Sequence, residues 1–465
     1  MRRIGFFLSM LLVFCRVGAQ DLAKQLEALV ASTPVLRTSE VGITVFNLTQ
    51  DKPVYTYQDE KLYRPASIEK VITSVTALAE LGTDYTFDTR LAYKGTIGAD
   101  SVLNGDLYVV GGFDPEFMED DLHRLTDAVH RAGINHIKGN LVADVSVMDS
   151  IYWGTGWAWD DTPNSFQPYL SPLMLNGGCV GVSVKPAQKG RRPEVEVFPK
   201  SDYYTIDNRA VSGIPHYGSL KITRDWLYNG NTIHITGNAG HPTGRTLNMF
   251  ASQDFFIRTF RYQLEQEHIA VDSLKYGVCP DTVALLYKVS RPLEEVLRQA
   301  LKKSDNLSAE ALFYHLAIRG GANKGIGAED AQKRIESFMR RHIGKDPDDY
   351  SIVDGSGVSM YNYVSPDLML AYLKYAYAHR EVFEPFYEAL PIAGVDGTLR
   401  YRMRKSKAFR NVRAKTGTVK GVSSLAGYVR ASNGDLLAFV IINQNVMSGR
   451  KARLFQDKIC EILAQ

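Results

Sequence analysis

The middle of the chain, from about residue 86 to 285, has a different sequence pattern from the two ends, and this difference limits the folds that the whole chain can adopt. Short apolar runs typical of strands, such as Leu107–Val110 and Thr232–Thr236, are separated there by Gly, Asn, Asp and Pro. The 465 residues exceed a typical domain of roughly 100 to 200 residues. We therefore expect a strand-rich insertion over 86–285, with a second domain nested inside it at about 162–245.

The residues before this region predict a hairpin followed by a helix. Val41–Phe46 alternates between apolar and polar side chains, and Val54–Tyr57 returns after a turn that contains Pro53. From about Ser67 to Leu81 the apolar side chains recur with a period near 3.6, which predicts a helix.

The residues after it again carry helical periodicity and end in a sheet signal. An Asn-Gly pair at 433–434, the strongest short hairpin signal, joins two apolar runs. The predicted helices are Pro292–Lys302, Ser308–Ile318, Ala328–His342 and Lys451–Leu463, and the predicted strands are Ser423–Arg430 and Leu436–Asn443. With no low-complexity linker between them, 20–85 and 286–465 are expected to form one domain around the insertion.

The first 19 residues have the pattern of a secretory signal peptide. Arg2 and Arg3 precede an apolar run, Ile4–Phe14, and small residues up to Ala19 offer a cleavage site. A membrane anchor is the alternative, but a spanning helix needs roughly 20 apolar residues. A lipoprotein signal at Cys15 is a weaker alternative still. We expect no transmembrane segment in the mature chain and a location outside the cytoplasm, periplasmic or facing the cell wall.

Charge and cysteine content exclude several classes of protein. Lys plus Arg number 54 and Asp plus Glu 51, but the leader carries three arginines and no acid, so the rest is balanced and nucleic acid is not an expected partner. The histidines show no HExxH spacing, and we expect no metal or other cofactor. Cys179, Cys279 and Cys460 remain after the leader; a Cys179–Cys279 bridge and three buried thiols both stay open.

The tetrapeptide Ser67-Ile68-Glu69-Lys70 could supply a nucleophile and its base. A serine at a helix N-terminus and a lysine three residues later lie on one helix face, and a lysine with a lowered pKa can take the serine proton. The alternative is a capping serine beside a solvated lysine. The same spacing recurs at Ser448 and Lys451, so this pattern alone does not decide between the two.

Two further polar segments follow the insertion. Ser304-Asp305-Asn306 could relay a proton to Lys70 and hold a substrate amide. Lys415-Thr416-Gly417-Thr418 leads into the C-terminal strands, where its cation and hydroxyls could bind a carboxylate, and where Gly417 would let substrate backbone approach. Each segment alone is better explained as an ordinary loop or strand start.

Together, the three segments resemble the SxxK, SxN and KTG motifs of β-lactamases and penicillin-binding proteins. The 237 residues between Ser67 and Ser304 leave room for a large insertion, as in the class C low-molecular-mass penicillin-binding proteins, the serine D-alanyl-D-alanine carboxypeptidase/endopeptidase family. Segments at 111–115, 156–160, 354–358 and 393–398 fit the same family. The resemblance implies an α/β (α+β) fold: a β-lactamase/transpeptidase-like core, an antiparallel sheet flanked by helices, with inserted strand-rich domains.

The resemblance also implies residue roles. Ser67 would be acylated, Lys70 would be the general base, and the Ser67 and Thr418 N–H groups would form the oxyanion hole. The remaining roles fall to Ser304 and Asn306 as the second catalytic element and to Lys415, Thr416 and Thr418 as the grip on the substrate carboxylate. Because two neighbouring amines disfavour a second charge, we expect Lys70 to be neutral and Lys415 charged.

One part of the family's pattern is altered in this chain. Members of the family resemble one another in a pocket for the substrate's acidic side chain, which is built from an Asp, an Arg and a Gln. In this chain Asp144 matches the Asp, but Met360 stands where the family has Arg and Lys420 where it has Gln. We expect Asp144 and Lys420 to contact a side chain that carries both an amine and a carboxylate, as meso-diaminopimelate does.

The sequence therefore predicts a serine-type D-Ala-D-Ala carboxypeptidase, a DD-endopeptidase or both. Peptidoglycan stem peptides and cross-links are the expected partners, and β-lactam antibiotics the expected acylating inhibitors. Two alternatives are a serine β-lactamase and a non-catalytic peptidoglycan-binding protein on the same fold. Intact Ser67, Lys70 and Lys415 favour an enzyme, since a binding protein needs neither a nucleophile nor a base.

Overall fold

The computed structural model describes residues 21–320 and 324–465, so the predicted signal peptide lies outside the described residues. The chain forms two compact units. The first comprises the described residues up to Thr83, Leu297–Leu316 and Ala328–Gln465, and the second comprises Asp84–Val296 and the described part of Ala317–Gly327. Among the described residues no helix combines the length and apolar character needed to cross a membrane.

The strands and α-helices of the described residues have the following bounds. The strands are β1 (Glu40–Asn47), β2 (Lys52–Tyr57), β3 (Thr86–Ile97), β4 (Val102–Val110), β5 (His136–Asp144), β6 (Cys179–Lys185), β7 (Glu194–Phe198), β8 (Thr205–Asn208), β9 (Val211–Ser212), β10 (Lys221–Arg224), β11 (Thr232–Thr236), β12 (Asn238–Ala239), β13 (Thr243–Asn248), β14 (Ala270–Tyr276), β15 (Ala284–Pro292), β16 (Arg413–Val419), β17 (Val422–Arg430) and β18 (Leu436–Gln444). The helices are α1 (residues 21–32), α2 (Glu69–Leu81), α3 (Glu119–Arg131), α4 (Ser252–Gln266), α5 (Leu293–Arg298), α6 (Asn306–Arg319), α7 (Ala328–Phe338), α8 (Pro366–Ala378), α9 (Arg380–Ala389) and α10 (Gly449–Leu463).

The first unit is built on a five-stranded antiparallel sheet in the order β16-β17-β18-β1-β2. The central strands β17 and β18 are buried almost throughout, which explains why their sequences are nearly continuous apolar runs. Gly434 has φ +91° in the loop that joins them. β16, which carries Lys415, lies at the edge of the sheet.

Helices cover this sheet. α8 packs on β18 and β1, α10 packs on β17, and α2 packs on α8 and α9. Eleven of the thirteen α2 residues are buried, so this helix is an interior element whose polar side chains need partners inside the protein. The expected antiparallel sheet flanked by helices is confirmed.

The second unit has a five-stranded mixed sheet in the order β14-β5-β4-β3-β15, in which β5 runs parallel to both β4 and β14. α3 and α4 pack on each other, and their apolar faces join a core that includes Leu125, Phe256 and Leu141. Three small sheets, all within residues 179–248, complete the unit.

The units differ from the predicted boundaries at two places. β15 pairs with β3 along its whole length as far as Pro292, and the second unit continues to Val296, so residues 286–296 belong to it. Residues near Ile326 join the same unit through a bridge to Met148. The sheet that carries Lys415 takes no strand from residues 86–285 among the described residues. Within the described part of the chain Cys179, Cys279 and Cys460 form no disulfide, so the Cys179–Cys279 bridge is not present.

Candidate active site

Ser67 lies in a tight helical turn, Ala66–Ile68, immediately before α2. Ala66 has φ +50°, an unusual conformation for a residue with a Cβ, and it is buried. The sheet fixes this turn through Ser424 on β17, whose hydroxyl donates to the Pro65 carbonyl at 2.6 Å. The serine is therefore presented by a constrained segment, as preorganised catalysis requires.

Lys70 is fully buried and connects three parts of the first unit. Its Nζ donates to Ser67 Oγ at 3.0 Å, to Asn306 Oδ1 at 2.8 Å and to the Ser356 carbonyl at 2.7 Å. These three acceptors use the full donor capacity of an ammonium group. When the amine is neutral, its lone pair can face one of them instead, and Ser67 Oγ is the only one of the three that can give a proton.

Lys415 is the second fully buried amine of the site. Its Nζ donates to Ser304 Oγ at 2.7 Å and to the Thr416 carbonyl at 2.7 Å. Ser304 follows the π-helical turn Gln299–Lys303 and adopts a left-handed conformation, with φ +62°. The left-handed conformation of Ser304 lets α6 begin at Asn306, two residues later. The Ser304 hydroxyl therefore contacts Lys415, and the Asn306 amide contacts Lys70.

Gly417 also has a structural role that was not predicted from the sequence, and its predicted role in substrate approach stays a prediction. A Cβ at this position would lie 2.1 Å from Ser424 Oγ, 2.7 Å from the Pro65 carbonyl oxygen and 3.0 Å from the Ser67 nitrogen. The sequence suggested that the glycine lets substrate approach. In the structure it makes room for the backbone of the Ser67 turn, because β16 and this turn are in contact.

Three buried carboxylates surround Lys70, and the sequence analysis assigned none of them to the site. Glu69, Glu310 and Asp354 are all at most 2% exposed. Asp354 accepts from the backbone nitrogens of Gly357 and Ser359, both at 2.8 Å, whereas neither oxygen of Glu69 has a hydrogen-bond partner among the described residues. The sequence signals were an acid inside the helix-forming run after Ser67 and, for Asp354, its place at the start of the segment 354–358.

Burial and charge shift the pKa values of these groups. Burial raises the pKa of Glu310 to about 8, and burial followed by the charge of Asp354 raises the pKa of Glu69 well above its usual range. Burial lowers the pKa of Lys70 to about 8, although the charges of Asp354 and Asp305 oppose this effect.

The pKa of Lys415 is lowered well below its usual range, first by burial and then by the charge of Lys70. Burial and the neighbouring amine therefore both oppose a charge on Lys415, the lysine that was expected to carry it. The physical reason is that nearby carboxylates support a charge on Lys70, while Lys415 contacts only a hydroxyl and a carbonyl.

The remaining predicted substrate-binding residues lie in different parts of the molecule: three are on or just beyond β16, and one is in the second unit. Thr416 Oγ1 donates to Thr398 Oγ1 at 2.8 Å, Thr418 is exposed on the same edge strand, and Lys420 is exposed just beyond it. Asp144 belongs to the second unit and is 6% exposed. Its two oxygens accept from the backbone nitrogens of Ser146 at 3.0 Å and Cys279 at 2.7 Å. A side-chain pocket formed by Asp144 and Lys420 stays a prediction.

The second SxxK spacing has a structural explanation. Ser448 is the N-cap residue of α10, and its hydroxyl accepts from the Lys451 backbone nitrogen at 3.4 Å. Lys451 is exposed to solvent. Ser448 thus does what a capping serine does, whereas Ser67 contacts a buried amine.

The sequence is similar to those of several carboxypeptidases. The sequence model of the D-Ala-D-Ala carboxypeptidase 3 (S13) family matches residues 22–465. A D-alanyl-D-alanine carboxypeptidase of Actinomadura sp. (strain R39) is 31% identical over 466 residues, covering 96% of this chain and 85% of that protein. The carboxypeptidase DacB of Haemophilus influenzae is 28% identical over 447 residues, covering 92% and 88%.

Solved structures give the same result. Penicillin-binding protein 4 from Haemophilus influenzae superposes with a TM-score of 0.84 at 26% identity, covering 95% of this chain and 99% of that one. A complex of that protein with a β-lactam superposes with a TM-score of 0.75 at 24% identity, covering 93% and 97%. The resemblance inferred from the three motifs is confirmed: the chain belongs to the D-Ala-D-Ala carboxypeptidase 3 (S13) family.

Proposed function

We propose that this enzyme releases the terminal D-alanine from peptidoglycan stem peptides, and cleaves D-amino-acid cross-links between them, through an acyl-serine intermediate on Ser67. The observation that carries the proposal is the contact of Ser67 Oγ with a fully buried lysine whose pKa is about 8. A lysine in that state can accept a proton near neutral pH, and a hydroxyl needs such a partner to act as a nucleophile.

In the acylation step, Ser67 Oγ attacks the carbonyl carbon of the penultimate D-alanine and its proton passes to Lys70 Nζ. The C–N bond of the scissile peptide then breaks, and the leaving amine takes the proton that Lys70 accepted from Ser67. Water attacks the ester in the second step, giving its proton to Lys70, and Ser67 Oγ is released and protonated. Both steps return the site to its starting protonation state.

Binding of the substrate favours the neutral form of Lys70, which the transfer of the Ser67 proton to Lys70 requires. A terminal carboxylate held by Lys415, Thr416 and Thr418 would stabilise the charged form of Lys415 and raise its pKa. Charge on Lys415 in turn disfavours charge on Lys70, because each amine's charge acts on the other. The neutral, basic state of Lys70 is thus favoured when the substrate carboxylate is bound.

The oxyanion hole would be formed by the Ser67 and Thr418 backbone N–H groups. Support comes from the close approach of the two segments: a Cβ on Gly417 would reach to 3.0 Å from the Ser67 nitrogen. Donors fixed by the backbone before the reaction begins need no reorganisation as negative charge develops.

β-Lactams are the expected inhibitors, since they present a strained amide and a carboxylate to the same groups. A relative of this chain, penicillin-binding protein 4, is known in complex with one. We place the enzyme outside the cytoplasm, periplasmic or facing the cell wall, because its substrate lies there and because the leader predicts secretion.

We further propose that residues 86–285 form an insertion that positions the polymeric substrate. The second unit has its own core and sheets, which is what a separate folding unit requires. A chain in which this segment is replaced by a short linker should still bind penicillin but lose activity on polymeric peptidoglycan more than on a short peptide. Equal losses on both substrates would contradict the positioning role.

The assignment of the nucleophile is tested by incubation with a labelled penicillin, followed by digestion and mass spectrometry. We expect one adduct, on the peptide that contains Ser67, which Ser67→Ala abolishes. Ser448→Ala is the matched control, because it removes the other serine of the same spacing and should leave labelling unchanged. An adduct on Ser448 would contradict the assignment of Ser67. A protein that binds the stem peptide but forms no adduct would favour the non-catalytic alternative. Rapid loss of the adduct would favour a β-lactamase.

A further inference from the structure

A pocket in the first unit lies next to the site but has no part in the reaction described above. Its volume is about 500 Å³, and its lining includes Lys302, Lys303, Asp396, Thr398 and Arg400. The pocket is contributed by the turn before Ser304 and by the segment Val395–Arg400.

Two contacts join this pocket to the edge strand β16. Thr398 Oγ1 accepts from Thr416 Oγ1 at 2.8 Å, and Lys303 immediately precedes Ser304, whose hydroxyl accepts from Lys415 at 2.7 Å. The pocket therefore begins where the proposed grip on the substrate carboxylate ends. A molecule that extends beyond that carboxylate would enter it.

The wall of the pocket is held in a defined shape. Asp396 accepts from Lys302 Nζ at 2.6 Å and from the Ile392 nitrogen at 2.8 Å. Gly397 has φ +53°, and a Cβ there would lie 2.6 Å from the Lys302 carbonyl oxygen, so this loop packs directly on the turn before Ser304. A preformed wall binds a ligand without first paying an ordering cost.

The charge of the pocket is positive. Lys302 is compensated by Asp396, whereas neither Lys303 nor Arg400 forms an ion pair with another residue in the described part of the chain. Three cations and one carboxylate leave the lining with two uncompensated positive charges. Both free cations are exposed at the rim, where they can meet an incoming anion.

The reaction supplies an anion on this side of the scissile bond. When D-alanine is the leaving group, its one carboxylate is already held by Lys415, Thr416 and Thr418. When the leaving group is a second stem peptide in a cross-link, it carries further carboxylates beyond that position. We propose, on the basis of the function proposed above, that Lys303 and Arg400 bind those carboxylates, so that the pocket is the subsite for the second stem and favours cleavage of acidic cross-links.

The test compares two substrates of each enzyme form: a monomeric peptide ending in D-Ala-D-Ala, and a cross-linked peptide dimer with free carboxylates on its second stem. The variants are Lys303→Ala, Arg400→Ala and the double variant. Lys407→Ala is the matched control, because it removes an exposed cation of the same unit outside the pocket. The measured quantity is the ratio of kcat/KM on the dimer to kcat/KM on the monomer.

We expect each single variant to lower this ratio by about two- to fivefold, and the double variant by roughly tenfold, since contacts between exposed charges are individually weak. Lys407→Ala should leave the ratio unchanged. A third substrate is the same dimer amidated only at the second-stem carboxylates beyond the one that Lys415 holds. The unmodified enzyme should cleave it as slowly as the double variant cleaves the acidic dimer.

An unchanged ratio in the double variant, or equal cleavage of the acidic and amidated dimers, would overturn the subsite. So would release of D-alanine without any cleavage of the dimer. Failure of the proposed function is distinguishable from all of these, because it would appear in the unmodified enzyme as the absence of both D-alanine release and a penicillin adduct on Ser67.

Discussion

Replacement of Lys70 by arginine tests the chemistry of the site most directly. Arginine keeps a cation and hydrogen-bond donors for Ser67 Oγ, Asn306 Oδ1 and the Ser356 carbonyl, which are the three acceptors around Lys70. It cannot lose its proton in a protein. Lys70→Arg thus removes the base while retaining charge and donors, although its larger side chain must fit a fully buried position.

The expected loss follows from the pKa of Lys70, which is about 8. At a pH of about 7.5 roughly a quarter of such lysines are neutral, whereas the neutral fraction of an arginine with a pKa above about 12 is below about 10⁻⁴. Removal of a general base lowers rates by about 10² to 10⁴ once water and other groups substitute for it. We expect a loss in that range for both penicillin acylation and D-alanine release.

The assay is the second-order rate constant of acylation by a fluorescent penicillin, measured from about pH 6 to 10. Because the base acts when deprotonated, the wild-type rate should rise with pH and level off above about 8. Lys70→Arg should show a low rate without this rise. Lys415→Arg, which keeps the cation at the other buried amine, should be affected less, and thermal unfolding of each variant establishes that it is folded. Acylation of Lys70→Arg at the wild-type rate would refute the reasoning.

Three other changes have defined outcomes. Gly417→Ala should slow penicillin acylation by about 100-fold, since a Cβ 3.0 Å from the Ser67 nitrogen displaces the nucleophile's turn by a fraction of an ångström or more; an unchanged rate would contradict that contact. Asp305→Asn keeps an acceptor for the start of α6 but removes a charge that raises the pKa of Lys70, so the rise of kcat/KM with pH should move to lower pH; a shift to higher pH would reverse the assigned sign. Arg224→Leu should lower the free energy of unfolding by about 3 kcal/mol in urea denaturation, because a buried guanidinium that donates to backbone and amide oxygens is lost; an unchanged midpoint would argue against it.

Local patterns in the sequence were sufficient for the core of the first unit. The period of 3.6 before Leu81 predicted α2, and the Asn-Gly pair predicted the β17–β18 hairpin to within a residue or two. These elements are fixed by signals within a dozen residues. The contact of Lys70 with Asn306, which is 236 residues away, has no local signal and was accessible only through the family resemblance.

Other features could not be read from the sequence. α3 and α4 in the second unit were missed because that region was assigned from its Gly- and Asn-rich strand texture, although α3 begins with three acids in a row, a usual helix-start signal. The charges that act on Lys70 and on Lys415 depend on which groups lie near each amine. That arrangement is a product of tertiary packing, and Glu69 and Glu310 acquire their roles only from it.

The left-handed conformation of Ser304 limits how this enzyme can change. Threonine offers the same hydroxyl, but a β-branched side chain is strongly disfavoured at φ +62°. Glycine would accept the backbone and lose the hydroxyl, while asparagine would accept the backbone and exchange the hydroxyl for an amide. Among the residues that differ little from serine, none satisfies both demands, so selection for altered substrates or for resistance to β-lactams should leave position 304 untouched and act on its neighbours.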